Sequence, residues 1–79
     1  MKKFNLNDYI FVQITKYGWE KLRENETEEY IQHCILSNQV IISGEIWYKL
    51  QGHQLFGLFG NMLFTASHHP IEMNILLEE

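Results

Sequence analysis

Five side chains are of types that hold metals or supply nucleophiles and bases: His33, Cys34, His53, His68 and His69. Zinc-binding segments present their ligands in pairs at short fixed spacings, and no such pair occurs here. His68 and His69 are adjacent, so in extended chain they point to opposite sides. His33 beside Cys34 has the composition of a thiol–imidazole pair. On a helix, however, consecutive side chains diverge by about 100°, and Cys34 falls on the apolar stripe, which reads as a packed thiol. Gly57 and Gly60 flank Leu58 and Phe59 without the strand–loop–helix context or the lysine of a phosphate loop. They read as thinning one side of a helix for close packing, at roughly 1 kcal/mol each relative to alanine. These residues predict no metal, no cofactor and no catalytic machinery.

The elements that position these side chains are organised around residues 45–64, EIWYKLQGHQLFGLFGNMLF. Ile46, Tyr48 and Leu50 alternate with Glu45, Trp47, Lys49 and Gln51, the period of a strand with one buried side. Within two residues the period changes to that of a helix, whose apolar arc gathers Leu55, Phe56, Leu58, Phe59, Met62 and Leu63. Upstream, residues 9–15 form a strand with Ile10, Val12 and Ile14 on one face. Thr15 caps a short helix over residues 16–24 that turns Tyr17, Trp19 and Leu22 inward and is weakened by Gly18. Thr27 caps a second helix over residues 28–36, with Tyr30, Ile31, Cys34 and Ile35 inward, His33 outward and two glutamates against the positive end of its dipole.

Gln39–Ile42 is a strand former that can pair with residues 46–50 through a Ser43-Gly44 turn. Pro70 suits the start of a last strand over residues 71–77, with Ile71, Met73, Ile75 and Leu77 on one face. The whole predicts one α+β domain over residues 1–79, a single-layer sheet of three to four strands with two to three helices in the order β-α-α-(β)-β-α-β. The helix near residues 53–63 is long enough for a right-handed crossover, which favours parallel pairing of the last two strands.

Composition narrows the function classes. No run approaches the roughly 20 apolar residues of a membrane span. The start, MKKFNLNDYIFVQI, reads without a secretion signal, and a single cysteine fits a reducing cytoplasm. The formal net charge is −4, and the six basic residues are dispersed, which disfavours direct strong binding of nucleic acid. Acidic residues cluster instead: Glu20, Glu24, Glu26, Glu28 and Glu29 are interrupted only by Lys21 and Arg23. That run is either a solvated helix face with local ion pairs or a negative surface for a basic partner. Aromatics make up 14% of the chain. Alternation sends Tyr9, Phe11 and Trp47 to one face of the sheet, where they either form an exposed partner patch or are covered by residues 16–44. The candidate partner-binding residues are therefore Glu20, Glu24, Glu28, Glu29, Trp47, Phe11 and Tyr9.

The run Trp47-Tyr48-Lys49-Leu50-Gln51, then Leu55-Phe56, Phe59-Gly60, Pro70-Ile71-Glu72 and Ile75, resembles the carboxy-terminal pattern of small phage and prophage proteins of Bacteroidota. Asp8-Tyr9, Val12 and Thr15-Lys16-Tyr17-Gly18 are similar to their amino-terminal half, and residues 32–43 depart from it. The resemblance implies a genomic context in which accessory proteins inhibit host defence, anti-CRISPR proteins included. It points to an inhibitor of a type VI-B RNA-guided RNase, acting in the host cytoplasm on the effector protein. It carries over no catalytic residues. Two other readings stand beside it: a sponge for a small nucleotide signal, using Lys49 for phosphate and Trp47 for the base, and a structural or regulatory phage protein. A homo-oligomer is compatible with all three.

Overall fold

The computed structural model describes residues 5–60, 62–63, 68–72 and 74–77. Among them are four strands and three α-helices: β1 (Tyr9–Val12), α1 (Lys16–Asn25), α2 (Glu28–Cys34), β2 (Gln39–Ile42), β3 (Glu45–Gln51), α3 (Gly52–Phe59) and β4 (Leu76–Leu77). A 3-10 turn at Leu36–Asn38 joins α2 to β2. The sheet is antiparallel throughout, in the order β2-β3-β1-β4.

Each local signal has a physical counterpart. The Thr15 hydroxyl accepts from the Gly18 N–H and the Thr27 hydroxyl from the Tyr30 N–H, each satisfying an amide that the first helical turn leaves open. Ser43 and Gly44 take positive φ angles of 53° and 81°, the twist a two-residue hairpin turn needs, and close β2 onto β3. β3 passes into α3 with no intervening residue. The Gln51 N–H donates to Gln54 Oε1, and the Gln51 side chain donates to the Asn7 carbonyl, so one residue ends the strand and ties down the helix start.

The core lies on one side of the sheet. Ile10, Val12, Tyr48 and Leu50 from the strands meet Leu22 of α1, Ile31 of α2, Leu55 and Phe59 of α3, and the flanking Ile35 and Ile71. Tyr30 and Cys34 pack against its rim, and His33 is exposed. Phe56 departs from the predicted arc: it is 42% exposed, whereas Leu55 and Phe59 of α3 are buried and Leu58 packs partly buried against the core. Ile46 likewise lies beyond the helices and is 48% exposed.

The predicted parallel pairing of the last two strands is not found. β4 pairs with β1, antiparallel, with Ile10 opposite Leu77 and Phe11 opposite Leu76. The predicted strand over residues 71–77 is reduced to an isolated bridge, Ile71 to Ile14, and the two-residue β4; Met73 lies outside the described residues. Leu76 is five positions on from Ile71 whereas Phe11 is three from Ile14, so the register shifts by two between these contacts, and Ile75 and Leu77 are exposed. The approach is fixed from residue 69 onward. The Thr15 N–H donates to the Pro70 carbonyl, the Thr15 hydroxyl to the His69 carbonyl and the Glu72 N–H to the Gln13 carbonyl. These bonds dock the chain on the free edge of β1 before a crossover could reach β3.

The glycines differ from the sequence reading as well. Gly57 faces open space, and a β-carbon on Gly60 would meet only the backbone of Phe56, so neither brings α3 close to a neighbour. Gly18 does so instead, because α1 passes directly against the Pro70 carbonyl.

Candidate functional site

The candidate residues divide between two faces of the molecule. Glu20, Glu24, Glu28 and Glu29 are all exposed, the first two one turn apart on α1 and the last two in the first turn of α2. Tyr9, Phe11 and Trp47 alternate with Ile10, Val12 and Tyr48, which belong to the core under the helices. The three aromatics therefore occupy the opposite side of the sheet. The acidic residues and these aromatics therefore form no single surface.

The aromatic face is not a uniform patch either. Residues 16–38 fold onto the other side of the sheet, yet Trp47 is only 6% exposed, and its indole N–H has no hydrogen-bond partner among the described residues. Trp47 is thus not an exposed contact residue. Phe11 is half-buried and Tyr9 exposed, with the Lys49 ammonium 4.8 Å from the Tyr9 ring centroid. A cation over a ring face is electrostatically favourable, and it leaves that side with an already partnered aromatic.

The helix side carries an aromatic that sequence reasoning assigned to the core, Trp19. It packs edge-on against Tyr48, with ring centroids 5.3 Å apart, and remains partly accessible. It also separates two grooves. One, of about 790 Å³, opens where β1 and β3 splay beyond the Val12–Tyr48 pair and is lined by Gln13, Ile14, Ile46, Tyr48, Glu45 and Glu72 among others. The Gln13 amide spans this gap, donating to the Ile46 carbonyl and to the Glu45 carboxylate. The other groove, of about 280 Å³, lies between α1 and α2 and is lined by Arg23, Glu28, Ile31, Gln32 and Leu36. The spacing of Trp19 and Arg23, one helical turn apart and followed by the acidic start of α2, is the signal that would have found this ridge.

Electrostatically the ridge is acidic with one internal pair. Lys21 and Glu24 form a salt bridge at 3.1 Å, and the hydrogen bond to Glu24 holds the Lys21 ammonium above its ordinary range. Both partners are solvated, so the pair adds little to stability. Among the described residues no group of three or more His, Cys, Asp or Glu side chains is placed to hold a metal ion, and no helix is long and apolar enough to cross a membrane. His68 stacks on Tyr17 at 5.1 Å between centroids, and His53 shares a hydrogen bond with Gln51, which gives these two imidazoles structural partners. Comparison with protein-family models, curated proteins and solved structures finds no match for this chain.

Proposed function

We propose that this chain is a non-enzymatic binding protein whose α1–α2 side docks on a basic surface of a partner protein. In line with the resemblance to phage and prophage proteins, that partner is the effector of a host RNA-guided antiviral nuclease, bound in the host cytoplasm. The observation that carries the reading is Trp19, a partly accessible indole standing between two grooves and bordered by exposed carboxylates. Aromatic anchors in partly formed pockets hold complexes together, whereas surrounding charge steers encounter. An RNA channel must be basic, and a chain of net charge −4 suits the channel protein rather than the RNA. The nucleotide-sponge alternative loses support, because the indole assigned to stack on a base is buried.

The test is inhibition and binding with purified effector. Changing Glu20, Glu24, Glu28 and Glu29 to Lys should slow association, remove its salt dependence and abolish inhibition, with the circular dichroism spectrum unchanged. Tight binding of naked guide RNA at physiological salt, or full inhibition by the four-fold variant, would refute the reading.

A further inference from the structure

β2 is an edge strand without the usual protections. Edge strands of soluble proteins are blunted by charge, proline, a bulge or a covering element, because their unpaired amides are a template for another strand. Gln39–Ile42 contains no charge and no proline and pairs residue for residue with β3. Among the described residues nothing pairs with its outer side.

The register states which groups face outward. Ile42 and Glu45 flank the two-residue turn and form the hydrogen-bonded pair nearest to it, so by alternation Val40–Trp47 is hydrogen-bonded and Ile41–Ile46 is not. The N–H and C=O of Ile41 therefore point away from β3. So do those of Gln39, whose N–H is already satisfied by the Leu36 carbonyl. On the helix side of the sheet, Ile41 and its cross-strand neighbour Ile46 are 69% and 48% exposed, which makes a two-residue aliphatic strip ending at the bare edge.

We infer that β2 is a homodimer interface, in which two copies pair β2 to β2 antiparallel about a two-fold axis at Ile41. The segment is self-complementary about that residue. The axis sets Ile41 against its own copy, each donating its N–H to the other's carbonyl, and sets Val40 of each chain against Ile42 of the other. On the helix side the two Ile41–Ile46 strips then merge into one four-isoleucine cluster. On the other side every cross-chain pair is β-branched and aliphatic, the kind that stabilises neighbouring strands. Charge does not oppose it within the strand: each copy carries −4, yet Gln39–Ile42 itself holds no charged residue. The contact is isologous and uses up the edge, so it closes at two chains rather than extending into a filament. It shares Ile46 with the larger groove beside Trp19, but it does not depend on what the α1–α2 ridge binds.

Sedimentation equilibrium over a wide concentration range tests it. The parent chain should show a reversible transition to the mass of two chains. Ile41→Lys places like charges across the axis and should give the mass of one chain at every concentration, with an unchanged circular dichroism spectrum, because the side chain is exposed in the isolated fold. Ile41→Glu should behave in the same way. An equimolar mixture of the two variants should regain the two-chain mass, since the axis places residue 41 opposite residue 41. A parent chain that stays at one-chain mass, variants that keep the two-chain mass, or a mixture that fails to recover it would each overturn the proposal.

Discussion

Gly18 lies so close to Pro70 that a β-carbon built on it would overlap the Pro70 carbonyl oxygen and come within 2.8 Å of the Ile14 Cγ2 methyl. The oxygen is main chain and is held by the Thr15 N–H, so it cannot rotate away as a side chain would. In Gly18→Ala the helix-propensity gain of about 1 kcal/mol is therefore opposed by overpacking of about 1–3 kcal/mol or more. Gly57 has no atom near its missing β-carbon, and Gly57→Ala should stabilise by about 0.5–1 kcal/mol. Urea denaturation of the two variants should move the midpoint in opposite directions.

Phe59 is 1% exposed at the junction of α3 with the sheet. Phe59→Ala removes a buried ring, which costs roughly 3–5 kcal/mol, against a total stability of about 5–15 kcal/mol for a typical domain. Thermal melting should show loss of the transition or a large fall in its midpoint. A midpoint close to that of the parent chain would contradict the burial.

The two tryptophans should be separable by fluorescence. Trp19→Phe leaves only Trp47, whose buried indole should emit at short wavelength and resist iodide. Trp47→Phe leaves only Trp19, which should be quenched. Addition of a partner that docks on the ridge should then protect Trp19 and leave Trp47 unaffected. Equal quenching of both single-tryptophan proteins would be inconsistent with their placement.

Burial pushes the phenol of Tyr48 above its ordinary pKa of 10.0, and burial does the same for Tyr30. The folded state thus holds these protons more tightly than the unfolded chain. The resulting stability is complete below about pH 10 and is lost as pH rises through the folded-state values. Chemical denaturation at increasing alkaline pH should show that decline, and Tyr48→Phe should make it shallower.

Local structure was legible in this sequence because its causes are local. Thr15 and Thr27 signal helix starts through their own hydroxyls, Ser43-Gly44 signals a turn through its backbone, and the change of period at Gln51 marks where β3 becomes α3. Partner choice was less legible. Nothing near Ile71 states that residues 69–72 will be caught by Thr15 and Gln13, so the sequence by itself favours β3 rather than β1 as the neighbour of the last strand. The candidate site divided for the same reason. Alternation correctly sent Tyr9, Phe11 and Trp47 to one face, but whether a face is covered depends on distant segments. Trp19 read as core because its helical phase is inward, and only the splay of β1 from β3 exposes its edge.

The sheet order has a kinetic consequence. Because β1 lies between β3 and β4, Ile10 must find both Leu50 and Leu77, whereas β2 and β3 are joined by two residues. A hairpin closes in about 1–10 μs, and each later pairing waits for the closure of a longer loop. The strand nearest the start of the chain is therefore among the last to be seated, and β4 can dock only after it. Rate measurements should show this order: turn substitutions such as Gly44→Ala slow folding, whereas truncations in β4 such as Leu77→Ala mainly speed unfolding.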